Sequence, residues 1–228
     1  MADPKKMYYE MLESTFPTYK EFTTIPVCDN GEPLVPIGSE FEGSLQILEN
    51  YKQYTGNQIF VRSHVVMMLI HAQKELREIY PDYNLEVVCG YRHPEIQEKT
   101  HSEHKKWLKE QNPLLEGDEL TEVAHRFSAA PDVAGHPTGG AVDVRIIGSE
   151  GLPVNMGPEF EPSKDIYVFS PFVEKEVWHI RQILRNCMVK AGFAPFDGEW
   201  WHFAYGDREW ANYYNKPEAI YAQLNFQI

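Results

Sequence analysis

From Phe60 to Ile79 the apolar residues Val61, Val65, Met68, Leu69, Ala72, Leu76 and Ile79 recur mostly at three- and four-residue steps. That is the period of one buried helix face, so the segment predicts a long amphipathic helix. Pro81 ends it, because proline disfavours helical geometry in the residue ahead of it. A second stripe of Val177, Ile180, Ile183, Leu184, Cys187 and Met188 predicts a helix over 174–191, stopped by Gly192. Between these stripes the period changes. Residues 85–89 form a short β-rich run. In 141–146, Val142, Val144 and Ile146 alternate with Ala141, Asp143 and Arg145, which places Asp143 on the face opposite the core. Residues 200–205 follow the turn Asp197-Gly198 and read as another strand. Charged stretches at 94–110 and 118–127 predict two further helices, with Pro94 at a tolerated first-turn position. Residues 1–57, with turns at Asp29-Asn30-Gly31 and Thr55-Gly56-Asn57, predict short strands and loops wrapping the rest. Residues 148–172 read as loop. No repeat or linker divides the chain, so the expectation is one α+β domain with a small antiparallel sheet flanked by helices.

Composition narrows the class. The 228 residues carry 34 acidic and 21 basic side chains, a net charge of −13. This lacks the basic excess that releases counterions from a nucleic acid, so no nucleic-acid partner is expected. The longest apolar cluster, 65–70, is about a third of a membrane span, so no membrane partner is expected either. Met1-Ala2-Asp3-Pro4-Lys5-Lys6 has basic residues with no apolar segment behind them, and a cytoplasmic location follows as the expectation. Cys28, Cys89 and Cys187 are far apart and form no CxxC pair, which excludes a thiolate zinc cluster and fits reduced thiols. Cys89 and Cys187 read as small buried hydrophobes. The pattern sets no oligomeric state.

Most of the nine histidines have bland readings. His64 and His71 belong to packing or surface, His101 and His104 to a solvated charged face, and His125 and His179 stand isolated within helices. His93 follows Arg92 in a turn and has at most a supporting part. No HExxH occurs. Two segments differ. His136-Pro-Thr-Gly-Gly-Ala-Val-Asp143 puts an imidazole on a loop and a carboxylate on the polar side of a strand, with two glycines that let backbone run close to whatever is bound. Glu199-Trp200-Trp201-His202 brings another carboxylate and imidazole to the mouth of a strand. Two histidines and an aspartate suit zinc with its fourth position open. Residues three apart in a regular strand face opposite sides, so Glu199 and His202 share a site only if Glu199 lies on the irregular entry after Gly198. Spacing alone therefore leaves two readings open: a shared metal site, or a structural turn beside a packed aromatic strand. Trp200, Trp201 and Trp210 read as core or pocket wall.

The pattern His136-x-x-Gly139-x-Ala141-x-Asp143 followed by Glu199-x-Trp201-His202 resembles the signature of the zinc D-alanyl-D-alanine dipeptidases and carboxypeptidases, which share a hedgehog-like scaffold. The Glu-Trp-Trp-His-Phe run looks most like the vancomycin-resistance-type dipeptidases. The resemblance extends to Gly90-Tyr91-Arg92 and, through 155–161, to a Met-Gly-x-x-Phe-Asp substrate loop, and it covers about 60–205 of a single zinc peptidase domain spanning 1–228. It implies one zinc ion per chain, held by His136, Asp143 and His202. It further implies Glu199 as general base, Arg92 facing the oxyanion, and Glu161 receiving the substrate's ammonium. These residue types suit those tasks: zinc brings the pKa of its water to about 7, a carboxylate in reach can relay the proton, and a guanidinium stays charged. The chain departs from the pattern at Ala134, where a serine is usual, and at Glu161, one methylene longer than aspartate. Residues 1–57 and the tail after Tyr205 match nothing in the family.

The activity implied is zinc-dependent hydrolysis of a D-amino-acid dipeptide, in the first instance D-Ala-D-Ala. Two alternatives stand beside it: a D,D-carboxypeptidase or endopeptidase acting on cell-wall peptides, and a non-catalytic zinc-bearing binding module. Glu199 argues for catalysis, and Glu161 with the missing export segment argues for a small free-amine substrate.

Overall fold

The computed structural model describes residues 3–160 and 163–228. The chain begins with two helices, α1 (Pro4–Glu13) and α2 (Tyr19–Thr24), followed by short strands β1 (Leu34–Pro36) and β2 (Ser44–Leu45) and a helical turn α3 (Lys52–Thr55). Strand β3 (Phe60–Arg62) leads directly into α4 (Ser63–Ile79), then β4 (Asn84–Cys89), α5 (Pro94–Gln111) and α6 (Gly117–His125). A 3₁₀ turn, His136–Thr138, precedes β5 (Ala141–Ile147). The last elements are α7 (Lys175–Lys190), β6 (Ala194–Pro195), β7 (His202–Ala204) and α8 (Arg208–Tyr213).

The two apolar stripes do what their period implies. Val65, Met68, Leu69, Ala72 and Leu76 of α4 and Val177, Ile180, Leu184, Cys187 and Met188 of α7 are buried, and the two helices pack on each other. Val142, Val144 and Ile146 of β5 join that same core. Each fully buried side chain of this size contributes about 1.5–3 kcal/mol relative to exposure. The sheet runs β2-β4-β5-β7-β6; all its pairings are antiparallel except the edge pair β2–β4, which is parallel. β1 and β3 pair separately.

The first 57 residues depart from expectation. Helices open the chain where strands and loops were expected. The signal was local: Asp3 caps Lys5 N just ahead of Pro4, and Thr18 with Glu21 forms a reciprocal capping box. These helices are too short to show a period, so caps rather than periodicity announce them. Buried Arg62 ties the wrap together, donating to Thr138 O (2.8 Å), Asp29 Oδ2 (2.7 Å) and Ala222 O (3.0 Å). Through it the N-terminal segment, the 136–139 turn and the C-terminal tail share one buried cation. The tail also returns to the turn, with Leu224 N donating to Pro137 O at 2.8 Å. The strand expected at 200–205 shortens to His202–Ala204.

Candidate active site

Register, more than proximity in sequence, builds the site. Asp143 of β5 has His202 of β7 as its partner on one side and Cys89 of β4 on the other. A bulge between Val87 and Cys89 shifts the β4 register, so Cys89 rather than Val88 pairs with Asp143. Bulges recur beside active sites because they re-aim a side chain in this way. The thiol of Cys89, expected to be an inert filler, consequently joins a polar row. Its Sγ lies 3.6 Å from His136 Nδ1 and 3.7 Å from an Arg92 terminal nitrogen. All three cysteines are free.

His136 reaches this row from the 3₁₀ turn. Its Nδ1 donates to Gly90 O at 2.8 Å, which leaves Nε2 facing Asp143 Oδ2 at 3.3 Å. His202 presents Nδ1 to Asp143 Oδ1 at 3.0 Å, while its Nε2 faces Glu209 Oε2 of α8 at 3.6 Å. The two rings meet edge-on, with centroids 4.9 Å apart. Glu199 sits in the turn that closes with Glu199 N on Phe196 O, and β7 starts only at His202. The irregular entry therefore lets both side chains face one cavity, and donor atoms of Asp143, Glu199 and His202 lie within 4.8 Å of one another.

The glycines of the 136–143 segment are required by the packing of the turn itself. A Cβ on Gly140 would stand 2.1 Å from Tyr205 O, and one on Gly139, at φ +75°, would stand 2.3 Å from Leu34 Cδ1. They let the turn press against β7's exit and β1.

Charge and burial set the protonation of the group. Burial alone would lower the His136 pKa, but Asp143 overrides it and holds it at about 9. His202 is likewise lifted well above its ordinary value by Glu209 and Asp143 against burial. Burial would raise Asp143, yet His136 and His202 hold it far below the usual carboxylate range. Burial pushes Glu199 up to about 7, and the nearby His202 offsets that only in part. An imidazole nitrogen and a carboxylate oxygen facing at 3.0–3.3 Å need a cation between them, either a proton or a metal. Zinc bonds of about 2.0–2.2 Å at tetrahedral angles separate neighbouring ligand atoms by roughly 3.3–3.5 Å. Each facing pair is near that spacing, and the donor atoms gather in two clusters that share Asp143, Cys89-His136-Asp143 and Asp143-Glu199-His202, so the metal-type donors join through that carboxylate. Gly90 O and Glu209 stand behind the two rings, where the outer partners of metal-bound histidines are found.

The surrounding cavity has a volume of about 260 Å³. Arg92, Glu199, Trp201 and Phe160 line it together with Thr100, His104 and Phe127 of the α5–α6 region, and Phe22 of α2 contributes from the wrap. Arg92 and the four expected sheet-side groups thus meet in one place. Glu161, expected to bind the substrate's ammonium, lies outside the described residues. His101 and His125, expected on a solvated face and isolated in a helix, are both buried: His101 Nδ1 donates to Ser128 O (2.8 Å) and His125 Nδ1 accepts from Ala130 N (3.1 Å). α6 packs on α5 and covers the face that charge patterning had assigned to water. Tyr51, Gln97 and Glu209 touch the site's groups and carried no motif that could have marked them.

The family model described as D-Ala-D-Ala dipeptidase, peptidase family M15, matches residues 47–220. The chain belongs to this family. It is a peptidase. A D-alanyl-D-alanine dipeptidase from Synechocystis sp. is 30% identical, over 91% of this chain and 95% of its own length. Among solved structures, the LdcB LD-carboxypeptidase aligns at TM-score 0.45 and 19% identity, over 80% of this chain and 73% of its own. The vancomycin-resistance D,D-pentapeptidase VanY in complex with Zn(II) aligns at TM-score 0.44 and 18% identity, over 87% and 96%. Family membership makes the activity that of a D-Ala-D-Ala dipeptidase or a related D,D-peptidase. Among the described residues, no helix is long and apolar enough to cross a membrane.

Proposed function

We propose that the whole chain acts as one catalytic domain, hydrolysing the peptide bond of a D-amino-acid dipeptide such as D-Ala-D-Ala in the cytoplasm. The observation that carries this is the convergence of His136, Asp143 and His202 beside a half-buried Glu199 on a cavity of about 260 Å³. That volume is below the roughly 300–1,000 Å³ of drug-sized sites, which suits a substrate of two small residues better than a polymer. One zinc ion held by His136, Asp143 and His202 would supply Lewis acidity and bring the ionisation of water near neutral pH.

Glu199 takes the proton of the attacking water and delivers it to the leaving amine. A carboxylate in reach of both atoms serves as base in the first step and as acid in the second. Arg92 faces the carbonyl oxygen as it gains charge, and a guanidinium fixed beforehand needs no reorganisation at that moment. Glu161 receives the free ammonium, a role proposed on family resemblance alone.

The test compares D-Ala-D-Ala with its N-acetylated form on zinc-loaded protein, alongside Glu199→Ala. The free amine should be preferred, and the variant should lose about 10²–10⁴-fold in kcat with its zinc retained. Preference for the blocked peptide would favour a carboxypeptidase. Stoichiometric zinc without hydrolysis of any dipeptide would favour a binding module.

A further inference from the structure

Tyr51 belongs to none of the motifs that mark the site in the sequence, although the family match begins at residue 47 and takes it in, and it touches the site directly. Tyr51 Oη accepts from Arg92 Nε at 2.7 Å, across 41 residues of sequence, and also accepts from Cys89 Sγ at 3.6 Å. The other guanidinium nitrogens are held as well. One donates to Gln97 Oε1 at 3.0 Å, and Gln97 is anchored by its own Nε2 on Ala129 O at 2.8 Å. The second donates to Cys89 Sγ at 3.7 Å and stands 3.6 Å from Asp143 Oδ2. A guanidinium has five N–H donors. Tyr51, Gln97 and Cys89 take three, which leaves one on each terminal nitrogen for a substrate oxygen.

We propose that Tyr51 is a positioning residue for Arg92, setting the orientation in which the guanidinium meets the developing oxyanion. The proposal rests on the oxyanion role given to Arg92 above. The physical reason is entropy and burial together. A long, rotamer-rich arginine left to order itself during reaction loses conformational entropy at that moment, and a misdirected donor loses the benefit of preorganisation. Of the three contacts only that of Tyr51 engages Nε, the atom that sets the tilt of the plane about the side chain's long axis. Burial pushes the Tyr51 phenol far up, so it remains a neutral hydroxyl throughout the working pH range. The segment 49–55 is thereby tied to the chemistry while contributing no group that touches the substrate.

A double-mutant cycle with Tyr51→Phe and Arg92→Ala tests this, with kcat, KM, zinc content and melting temperature read for all forms. Tyr51→Phe should lower kcat about 10-fold to 100-fold with KM changed less than about threefold and zinc content unchanged. In the Arg92→Ala background the same change should cost less than about twofold. Full activity of Tyr51→Phe, or an equal loss in both backgrounds, overturns the proposal. Near wild-type activity of Arg92→Ala overturns the oxyanion reading instead, so the two failures are distinguishable. If the phenylalanine protein does not fold, fluorotyrosines placed at 51 keep the ring and hydroxyl while grading its acceptor strength. Under the proposal kcat falls as the acceptor weakens, and a flat response overturns it.

Discussion

Two groups of histidines, one on the sheet and one on the α5–α6 helices, behave in opposite ways; His136, His202, His104 and His125 line the same cavity. In the sheet group, His136 and His202 face carboxylates, and their pKa values are held up against burial by Asp143 and Glu209. In the helical group, His101, His104 and His125 have no carboxylate paired with them among the described residues, and burial lowers all three, His125 to about 4. His101 and His125 satisfy the backbone, and His104 stacks on Phe127 with rings 17° from parallel. Burial is common to both groups and therefore decides nothing. A carboxylate facing the ring is what separates an imidazole fit to hold a cation from one that serves as a polar core residue.

The comparison is broken most severely by exchanging one histidine from each group. His136→Asn should abolish zinc retention and lower activity on the order of 10³-fold or more, since a Lewis acid supplies several kcal/mol. His125→Asn should keep its zinc under the same dialysis. Loss of zinc from both variants would mean that the helical group also bears on the metal. A subtler change removes only the charge behind His202. Glu209→Gln should weaken zinc affinity by about 10–100-fold, measured by competition with a chelator, because the outer carboxylate sets the orientation and basicity of the ring. Unchanged affinity would make the Glu209 contact incidental.

The smallest effect is on stability. His125 has a folded pKa depressed to about 4, so as pH falls through 6.5 the unfolded chain takes up a proton that the folded chain refuses. Stability from this group is present above pH 6.5 and is lost between there and pH 4. Between pH 7 and 5 it accounts for about 2 kcal/mol. Urea titrations at the two pH values should show this loss in the parent protein and a smaller one in His125→Asn. An identical pH dependence in both would remove His125 from the acid response.

Much of the site could be named from residue order, and little of its geometry could. The segments His136–Asp143 and Glu199–His202 were conspicuous because the residue types are chemically loaded and sit beside turns. Tyr51 and Glu209 were invisible, because a tyrosine in a wrap and a glutamate in a short C-terminal helix look like any others. The buried state of His101 and His125 was hidden for a related reason. Charge patterning describes a helix by itself and does not know which neighbour will cover it.

The apolar periods of α4 and α7 and the alternation in β5 follow from the sequence alone, since a helix face and a pleat depend only on local spacing. So does the carboxylate on the polar side of β5. Which residues face one another was decided by the tertiary structure. Pairing Asp143 with His202 and Cys89 required the antiparallel register and one bulge in β4. Bringing Tyr51 onto Arg92 required the wrap to close over the sheet. Register and docking are settled by long-range packing of the whole core, and a one-residue slip in either strand would turn the same side chains to the other face.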